Sequence, residues 1–456
     1  MSGPRSSDET IWSAALRDAL AGRPGRTGGL LLFFDERQDV TVELDGLKGP
    51  PDTEHSRSCG LAAHGPSGGG RFRFQADPEV ADVERLVSKL RNETPESTRI
   101  GSPGPDPARP GRWLPVEEAA RLVEKCINAT GKLHRRAEIR ARWVGFDQRI
   151  RVARTDRGVV ADRRRGSRLR LEANLRQHGR VSRSVGEMVL DPDFGGAPDT
   201  TIEKLAGQVA RRVEERMAAK PLLSGEYPIV FSPGVGGVLI HEIVGHALEA
   251  DTVLGRVSWL EKGTGSFAGS PELLVVDDPR RGRAAWRLDD EGEPARATSL
   301  MREGRVSGWL HDLASARRSD RAPTGHGRRT SFREPVRPRM GCTFLAPGRF
   351  EAEEALENLE NGIYVRRMEA ASTDTRTGQA VFRVTDADRI HNGRLDRPLS
   401  PHLMFVDAAE ALSSVQRVAN DLEFDVCVGS CLHHGQPLSI SVGGPTFRIG
   451  LTRVRF

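Results

Sequence analysis

The segment 241–246, His-Glu-Ile-Val-Gly-His, constrains the fold most strongly, because it brings two imidazoles and a carboxylate together within six residues. Neutral imidazoles are good ligands for zinc, and a carboxylate beside the first of them can take a proton from bound water. The familiar motif of this kind spaces its histidines four residues apart, about 40° from each other around a helix. Here the spacing is five residues, so on a regular α-helix the two side chains would diverge by about 140° and could not share one ion.

A single π-type turn would realign the two imidazoles, because residues five apart nearly stack in that geometry. Gly245, just before the second histidine, would ease such a distortion or allow a close backbone approach. The motif therefore predicts a local widening of the helix between His241 and His246. The alternative is a chance spacing of two helix histidines, but the glutamate and the tight, apolar, glycine-containing segment favour a metal site. We expect the glycines at 234–237 to bring the start of this helix close to a sheet.

The composition and length exclude several classes of protein. A chain of 456 residues with 37% hydrophobic residues is typical of a globular protein of two or three domains. A net charge of +5 over this length is not typical of a nucleic-acid-binding protein. No apolar run approaches the roughly 18 residues of a membrane helix, and the first 22 residues lack a signal-peptide pattern. Five scattered cysteines indicate a reducing compartment. We therefore expect a cytoplasmic protein that binds neither nucleic acid nor membrane.

The patterning predicts an α+β fold, in which a mixed α/β N-terminal part with an antiparallel meander precedes a β-rich C-terminal metal-binding domain. Helices are predicted at 10–20, 77–91, 115–130 and 201–220. Between residues 133 and 190 apolar residues alternate with arginines, which predicts antiparallel strands whose arginines, Arg163–Arg165 among them, face solvent. We place the domains at 1–220 and 221–456, with a further boundary at the Pro- and Gly-rich segment 101–111.

Two histidines leave a zinc ion short of protein ligands, because a catalytic site usually has three together with a water molecule. The candidates for the third ligand are Glu249, His326, Cys431, His433 and His434. Spacing alone does not choose among them, since a third ligand commonly comes from far along the chain. The vicinal histidines cannot easily aim both rings at one ion, whereas Cys431 lies at a turn flanked by glycine.

The chain resembles the TldD/PmbA family of metallopeptidases, and specifically its metal-bearing TldD-type members. Residues 241–251 are similar to the family's H-E-x-x-x-H-x-L-E-x-D segment. Other short similarities follow in order at 289–292, 310–312, 324–329, 338–340, 362–365, 377–379, 429–431, 435–436 and 442–446. Each match is weak, but their order and spacing together are specific. The first 115 residues match in outline only, and Met368–Thr373 replaces the family's Gly-rich segment.

The resemblance implies one zinc ion per chain, held by His241, His246 and Cys431, with Glu242 as the general base. It also implies cleavage of unfolded or extended peptides, including precursors of ribosomally made peptide products. Members of the family typically pair around an interior chamber. We therefore expect a heterodimer with a PmbA-type partner subunit, with a homodimer as the alternative.

Contacts to the substrate are less constrained by the sequence. His326 and Arg328 are candidates for stabilising the oxyanion, although a structural role in a polar loop is as consistent with their surroundings. The rival to an enzyme is a non-catalytic regulatory or binding subunit in which the metal only stabilises the fold. Glu242 favours the enzyme, because a purely structural site needs no carboxylate at that position.

Overall fold

The structure is a computed structural model. It describes residues 31–46, 50–64, 72–76, 116–154, 156–190, 197–260, 265–266, 269–424, 430–433 and 435–456, with Ala14, Leu16 and Asp82 as isolated positions. The helices predicted at 10–20 and 77–91 lie outside the described residues, apart from those three positions. The segment 101–111 also lies outside them.

The N-terminal part is built on an antiparallel sheet. Its described strands are β1 (Leu31–Asp45), β2 (Asp52–His64), β3 (Phe72–Ala76), β4 (Glu138–Arg154), β5 (Gly158–Gln177) and β6 (Arg180–Leu190). They lie in the order β3-β2-β1-β4-β5-β6. Strands β4 to β6 follow one another as neighbours, so the meander predicted for 133–190 is confirmed. The sheet also continues through β1, which pairs with β4 over its whole length.

Helices α1 (Val116–Leu133) and α2 (Asp199–Glu215) cover one face of this sheet. Both are amphipathic, and side chains such as Leu122 and Val209 pack with Trp143 and Leu169 of the strands in one buried cluster. The helices predicted at 115–130 and 201–220 are thus confirmed, although α2 ends five residues early in a 3-10 turn at Arg216–Ala218.

The C-terminal part contains a closed ring of strands. Its members are β7 (Gly225–Phe231), β14 (Asn361–Asp374), β15 (Gln379–His391), β17 (His402–Asp407) and β22 (Phe447–Arg455). Each pairs with two others, in the cyclic order β14-β7-β22-β17-β15, and β16 (Arg394–Pro398) adds to β15 from outside. The apolar side chains of these strands share one core with the helix that carries His241.

A second sheet and two ribbons complete the C-terminal part. The strands of the sheet are β8 (Leu274–Asp277), β9 (Thr298–Arg302), β10 (Arg305–Val306), β13 (Cys342–Leu345), β18 (Glu423–Phe424) and β21 (Ser441–Gly444). They lie in the order β10-β9-β8-β13-β21-β18. The ribbons pair β11 (Gly327–Arg328) with β12 (Arg337–Pro338), and β19 (Ser430–His433) with β20 (Gln436–Ser439).

Short helices lie at α3 (Gly236–Ile240), α4 (Ala250–Leu254), α5 (Leu313–Arg318) and α6 (Ala408–Ser413). The predicted α+β class with a β-rich second half is confirmed.

The face of the N-terminal sheet opposite its helices packs on the C-terminal part. Phe332 lies in a small apolar cluster with Phe33 and Ile150. The Arg164 guanidinium donates to the Asp290 carboxylate at 2.5 Å, and it is 2% exposed. The prediction of a solvated arginine face is therefore wrong for Arg164, because periodicity identifies a polar face but not what covers it. The described helices are all too short or too polar to cross a membrane.

Candidate metal centre

The segment that carries both histidines winds with three successive pitches. Helix α3 leads into a π-helical turn over His241–Gly245, and a 3-10 turn follows over His246–Leu248. The His246 backbone N–H donates to the His241 carbonyl, five residues back. The predicted widening of the helix is confirmed, and it sets the two imidazole rings 4.8 Å apart, centre to centre.

Two glycines allow this segment to sit where it does. A Cβ on Gly237 would lie 2.5 Å from the backbone nitrogen of Gly443, so only glycine lets α3 approach β21 so closely. A Cβ on Gly245 would lie 1.9 Å from the Met340 sulfur. The Gly237 contact confirms that the glycines bring the helix close to a sheet. The Gly245 contact packs the π turn against Met340.

The imidazoles converge on one thiol. One ligand atom each of His241, His246 and Cys431 lies within 4.8 Å of the others, and Cys431 Sγ is 3.2 Å from His246 Nε2. Tetrahedral zinc ligands, with bonds of about 2.0–2.3 Å, stand about 3.3–3.8 Å apart. All three side chains are buried. Within the part of the chain that the structure describes, neither ring nitrogen of His241 has a hydrogen-bond partner, which is costly unless a ligand binds there. The donor set therefore fits a zinc ion.

Cys431 is presented by the ribbon of β19 and β20, and its surroundings favour the thiolate. Burial raises the pKa of this thiol, but the His246 and His241 imidazoles together lower it by more, so the pKa falls to about 5. The thiolate is the form that binds metals. Charge and geometry therefore both make Cys431 a suitable third ligand among the candidates named above.

Glu249, another of the candidate ligands, lies just beyond the helical turn that carries His246. The 3-10 turn ends at Leu248, and Glu249 is in extended conformation, fully buried. Its Oε2 atom lies 3.1 Å from His246 Nδ1 and 2.7 Å from His433 Nδ1. Burial raises the pKa of this carboxyl, but His246 and His433 outweigh burial and hold it well below its usual range. A carboxylate on the far nitrogen of an imidazole orients it toward a metal.

The ligand atoms of His246, Glu249 and His433 also lie within 4.8 Å of one another, as a second candidate group. This group shares His246 with the first, but Glu249 lies against His246 Nδ1, whereas Cys431 lies against Nε2. Since Glu249 also lies 3.5 Å from the Arg339 guanidinium, it already has a cationic partner. The first group, which contains the buried Cys431 thiol, therefore fits a zinc ion better than the second.

Glu242 points into a cleft beside these side chains. The Thr373 hydroxyl donates to its Oε2 atom at 2.7 Å. The cleft has a volume of about 240 Å³, and its lining includes His241, Glu242 and Cys431. It is closed on other sides by Arg170 of the N-terminal sheet and by residues 367–370 of β14. Both halves of the chain therefore contribute to one cleft.

Neither His326 nor Arg328, the two candidates for substrate contacts, is among the residues that line this cleft. His326 is fully buried, with Nε2 at 3.0 Å from Asp277 and Nδ1 at 2.9 Å from the Thr324 hydroxyl. Arg328 lies over the Trp286 ring, and its Nε atom donates to Asp290 at 3.3 Å. In the described structure these contacts are those of a buried polar network. His434 lies outside the described residues.

Three residues at the site were not identified from the sequence: Thr373, Arg170 and Arg367. Thr373 falls in the segment that departs from the family pattern, the alternation around Arg170 predicts a solvated face, and Arg367 belongs to none of the matched motifs. The buried Glu187 carboxylate accepts from Arg170 at 3.0 Å and from Arg367 at 2.8 Å, which links the N-terminal sheet to β14. Such a link joins residues about 200 positions apart, and sequence spacing carries no signal for it.

Comparisons with known proteins identify the family of the chain. The family model of the PmbA/TldA metallopeptidase C-terminal domain matches residues 224–455. A metalloprotease TldD homologue from Haemophilus influenzae is 28% identical over 339 residues, which cover 73% of this chain and 70% of that protein. A zinc metalloprotease TldD homologue from Saccharolobus solfataricus is 26% identical over 304 residues, 66% of this chain and 67% of that one.

The fold has a solved counterpart. The crystal structure of TldE from Thermococcus kodakarensis superposes with a TM-score of 0.76, covering 99% of this chain and 100% of that chain at 15% sequence identity. The matched family model is that of a metallopeptidase, and it spans the half of the chain that carries His241, His246 and Cys431. The chain belongs to the TldD/PmbA family, as its C-terminal half and the similarity of its curated relatives show.

Proposed function

We propose that this chain is a zinc-dependent peptidase that hydrolyses unfolded or extended peptides. The observation that carries the proposal is the convergence of His241, His246 and Cys431 at the wall of a cleft that Glu242 also lines. A zinc ion held by those three residues would supply a Lewis acid and lower the pKa of bound water toward about 7. The metalloprotease names of its relatives support the same class of reaction.

Glu242 is proposed as the general base. Its carboxylate takes a proton from the attacking water and returns it to the leaving amine, which is worth roughly 10²–10⁴-fold in rate. The Thr373 hydroxyl holds one oxygen of that carboxylate, so the orientation of Glu242 is set before substrate binds. A regulatory subunit with a structural metal would have no use for a carboxylate held in this way at a cleft.

The substrate is proposed to bind as an added strand. Residues 363–365 of β14 pair with β7, but in the described structure residues 367–374 pair with β15 alone. This open edge includes residues 367–370, which line the cleft beside Glu242. An extended peptide on such an edge is bound through its backbone, so unfolded chains of varied sequence fit, including ribosomally made precursor peptides.

The proposed setting follows from the same family membership. We propose that the chain works in the cytoplasm as a dimer, with a PmbA-type partner subunit or with a second copy of itself.

The test compares the wild type with Glu242→Gln on an unstructured peptide, with and without a candidate partner subunit, after the metal content of each protein is determined. We expect both to bind about one zinc ion and only the wild type to cleave. Glu226→Gln, which alters an exposed glutamate on β7, is the matched control and should retain activity. If both proteins bind zinc and neither cleaves, the metal is structural and the regulatory alternative replaces the enzyme.

A further inference from the structure

Arg339 is a buried cation that contacts both sides of the metal centre. It directly follows β12, and its side chain is 1% exposed. One terminal nitrogen, Nη2, donates to the Cys431 carbonyl at 3.3 Å and lies 3.2 Å from the Cys431 sulfur. The other, Nη1, donates to the carbonyls of His433 and Gln436, both at 3.2 Å. The guanidinium therefore holds the ribbon of β19 and β20 at several points around its metal-ligand residue.

The third nitrogen of Arg339 faces the helical side of the site. Its Nε atom lies 3.5 Å from Glu249 Oε1, while the other oxygen of that carboxylate contacts His246 Nδ1. A continuous chain of contacts thus runs from His246 through Glu249 and Arg339 to Cys431. The two ends of this chain are 185 residues apart in sequence, and both ends are proposed zinc ligands.

The chemistry of this position requires an arginine rather than any cation. A planar guanidinium offers five N–H donors in a rigid fork, whereas a lysine ammonium is a point charge on a flexible stem. Here the fork is divided among a thiol, three backbone carbonyls and a carboxylate. Removing it would leave the Glu249 carboxylate buried with one cationic contact fewer, and the ribbon with unpaired carbonyls.

We propose that Arg339 is a positioning residue of the metal centre, which acts with Glu249 to fix the Cys431 sulfur at the distance that His246 requires. The proposal rests on the metal site of the proposed function. Outer contacts of this kind orient metal ligands, and their loss typically weakens metal affinity roughly tenfold to a hundredfold. An arginine that only stabilised the fold would leave the affinity of the folded protein unchanged.

The test measures metal binding without using peptidase activity. Cobalt(II) takes the place of zinc in the full-length protein, because a thiolate ligand gives cobalt a charge-transfer absorption band. Zinc affinity is measured by competition with a chelator. We expect Arg339→Lys to weaken zinc binding tenfold or more and to diminish or shift the thiolate band. The matched control is Arg329→Lys, since Arg329 is equally buried but lies over the Phe33 ring in the Asp290 cluster.

Glu249→Gln provides a second variant, which tests the same chain of contacts if Arg339→Lys does not fold. Its zinc affinity and its cobalt thiolate band are measured in the same way. The two effects should be less than additive in the double variant, because both residues belong to one chain of contacts. Zinc affinities within twofold of wild type, with an unaltered thiolate band, would overturn the proposal.

The outcomes also separate this proposal from the proposed function. A wild type that binds cobalt with a thiolate band but cuts no peptide refutes the hydrolase, while a loss of affinity in Arg339→Lys still supports the positioning role. A wild type that binds no metal, or binds it without the band, overturns both.

Discussion

At the scale of single residues, His246 is the side chain on which the site depends most. One of its ring nitrogens faces the Cys431 sulfur and the other faces the Glu249 carboxylate. This division requires the ring to project from the helix at one particular angle, and the π turn provides it. Local backbone geometry therefore determines which three donors can meet.

The first prediction concerns the packing of the π turn. Gly245→Ala would place a methyl group 1.9 Å from the Met340 sulfur, so something must shift. Overpacking of this kind costs typically about 1–3 kcal/mol. We expect Gly245→Ala to lower both the free energy of unfolding, measured with urea, and the zinc affinity. In the double variant with Met340→Ala, part of the lost affinity should return; no recovery would mean that the glycine is needed for its backbone.

The second prediction concerns the orientation of the proposed base. Thr373→Val removes the hydroxyl that donates to Glu242 but keeps the shape of the side chain. Because the lost bond is to a charged group that is partly exposed, we expect kcat to fall about tenfold with zinc content unchanged. Thr373→Ser retains a hydroxyl and should recover most of the rate. Equal rates for wild type and valine variant would exclude this role of Thr373.

The sequence was enough to propose two imidazole ligands and a thiol ligand and to predict the widened helix. These features are either local in the sequence or belong to a family pattern. The spacing of His241 and His246 is incompatible with one metal ion on a regular helix, so it required the π turn. The contacts of Thr373 and Arg339 could not be predicted in this way, because they depend on how distant strands pack. Their roles, like those of the ligands, stay proposals until the variants are measured.

At the scale of secondary structure, the cleft depends on a strand from the half of the chain that lacks the metal motif. Arg170 on β5 lines the cleft, and its guanidinium is held by Glu187 on the neighbouring strand β6. The alternation along β5 predicted that arginines share one face. It could not predict that β14 packs near that face, since a non-local contact leaves no periodic signal.

A third prediction tests whether this strand contributes to substrate binding. Arg170→Gln removes the charge at the cleft but keeps a donor for Glu187. We expect KM to rise about three- to tenfold, because one hydrogen bond from a charged group is lost. The values of kcat and zinc content should stay unchanged. Arg176→Gln alters an exposed arginine on the same strand and is the control. A fall in kcat at constant KM would instead place Arg170 in the chemical step.

The strand pairings mark a further limit of prediction from sequence. Long helices and the β4–β6 meander follow from periodicity and turns that span a few residues. The closed ring depends on β7 pairing with β14 and β22, which are more than a hundred residues away. Such pairings are set by the whole core, so a β-rich C-terminal part was predictable and its ring closure was not.

At the scale of the whole molecule, buried charges join the two halves of the chain. Asp290 accepts from Arg164 of the N-terminal sheet and from Arg328 of the C-terminal part. Burial raises the pKa of Asp290, but Arg164 and the neighbouring guanidiniums hold it below its usual range. The division into domains at residue 220 stays a prediction, and these contacts show that the two sides of it share an extensive polar interface.

Asp35 on β1 lies in this interface and makes its stability sensitive to pH. The side chain is buried and accepts a hydrogen bond from Gln148 Nε2 at 2.9 Å. Burial raises its pKa to about 6, although the Gln148 hydrogen bond opposes the rise, and the Asp290 charge adds to it. In the unfolded chain an aspartate has a pKa of about 3.9. Between about pH 4 and about pH 6 the folded state therefore holds the extra proton, and the free energy of unfolding falls as pH rises.

Asp35→Asn removes this titration while an amide oxygen still accepts from Gln148. Relative to wild type, the variant should gain almost nothing near pH 4, and its gain should grow through the window to about 3 kcal/mol above pH 6, since each unit of pKa shift corresponds to about 1.4 kcal/mol. Urea unfolding at several pH values measures the difference, and Asp52→Asn at an exposed strand end is the charge control. A pH-independent difference would mean that Asp35 stays ionised in the folded protein, and that the cations of the interface, Arg37 and Arg164 among them, outweigh its burial.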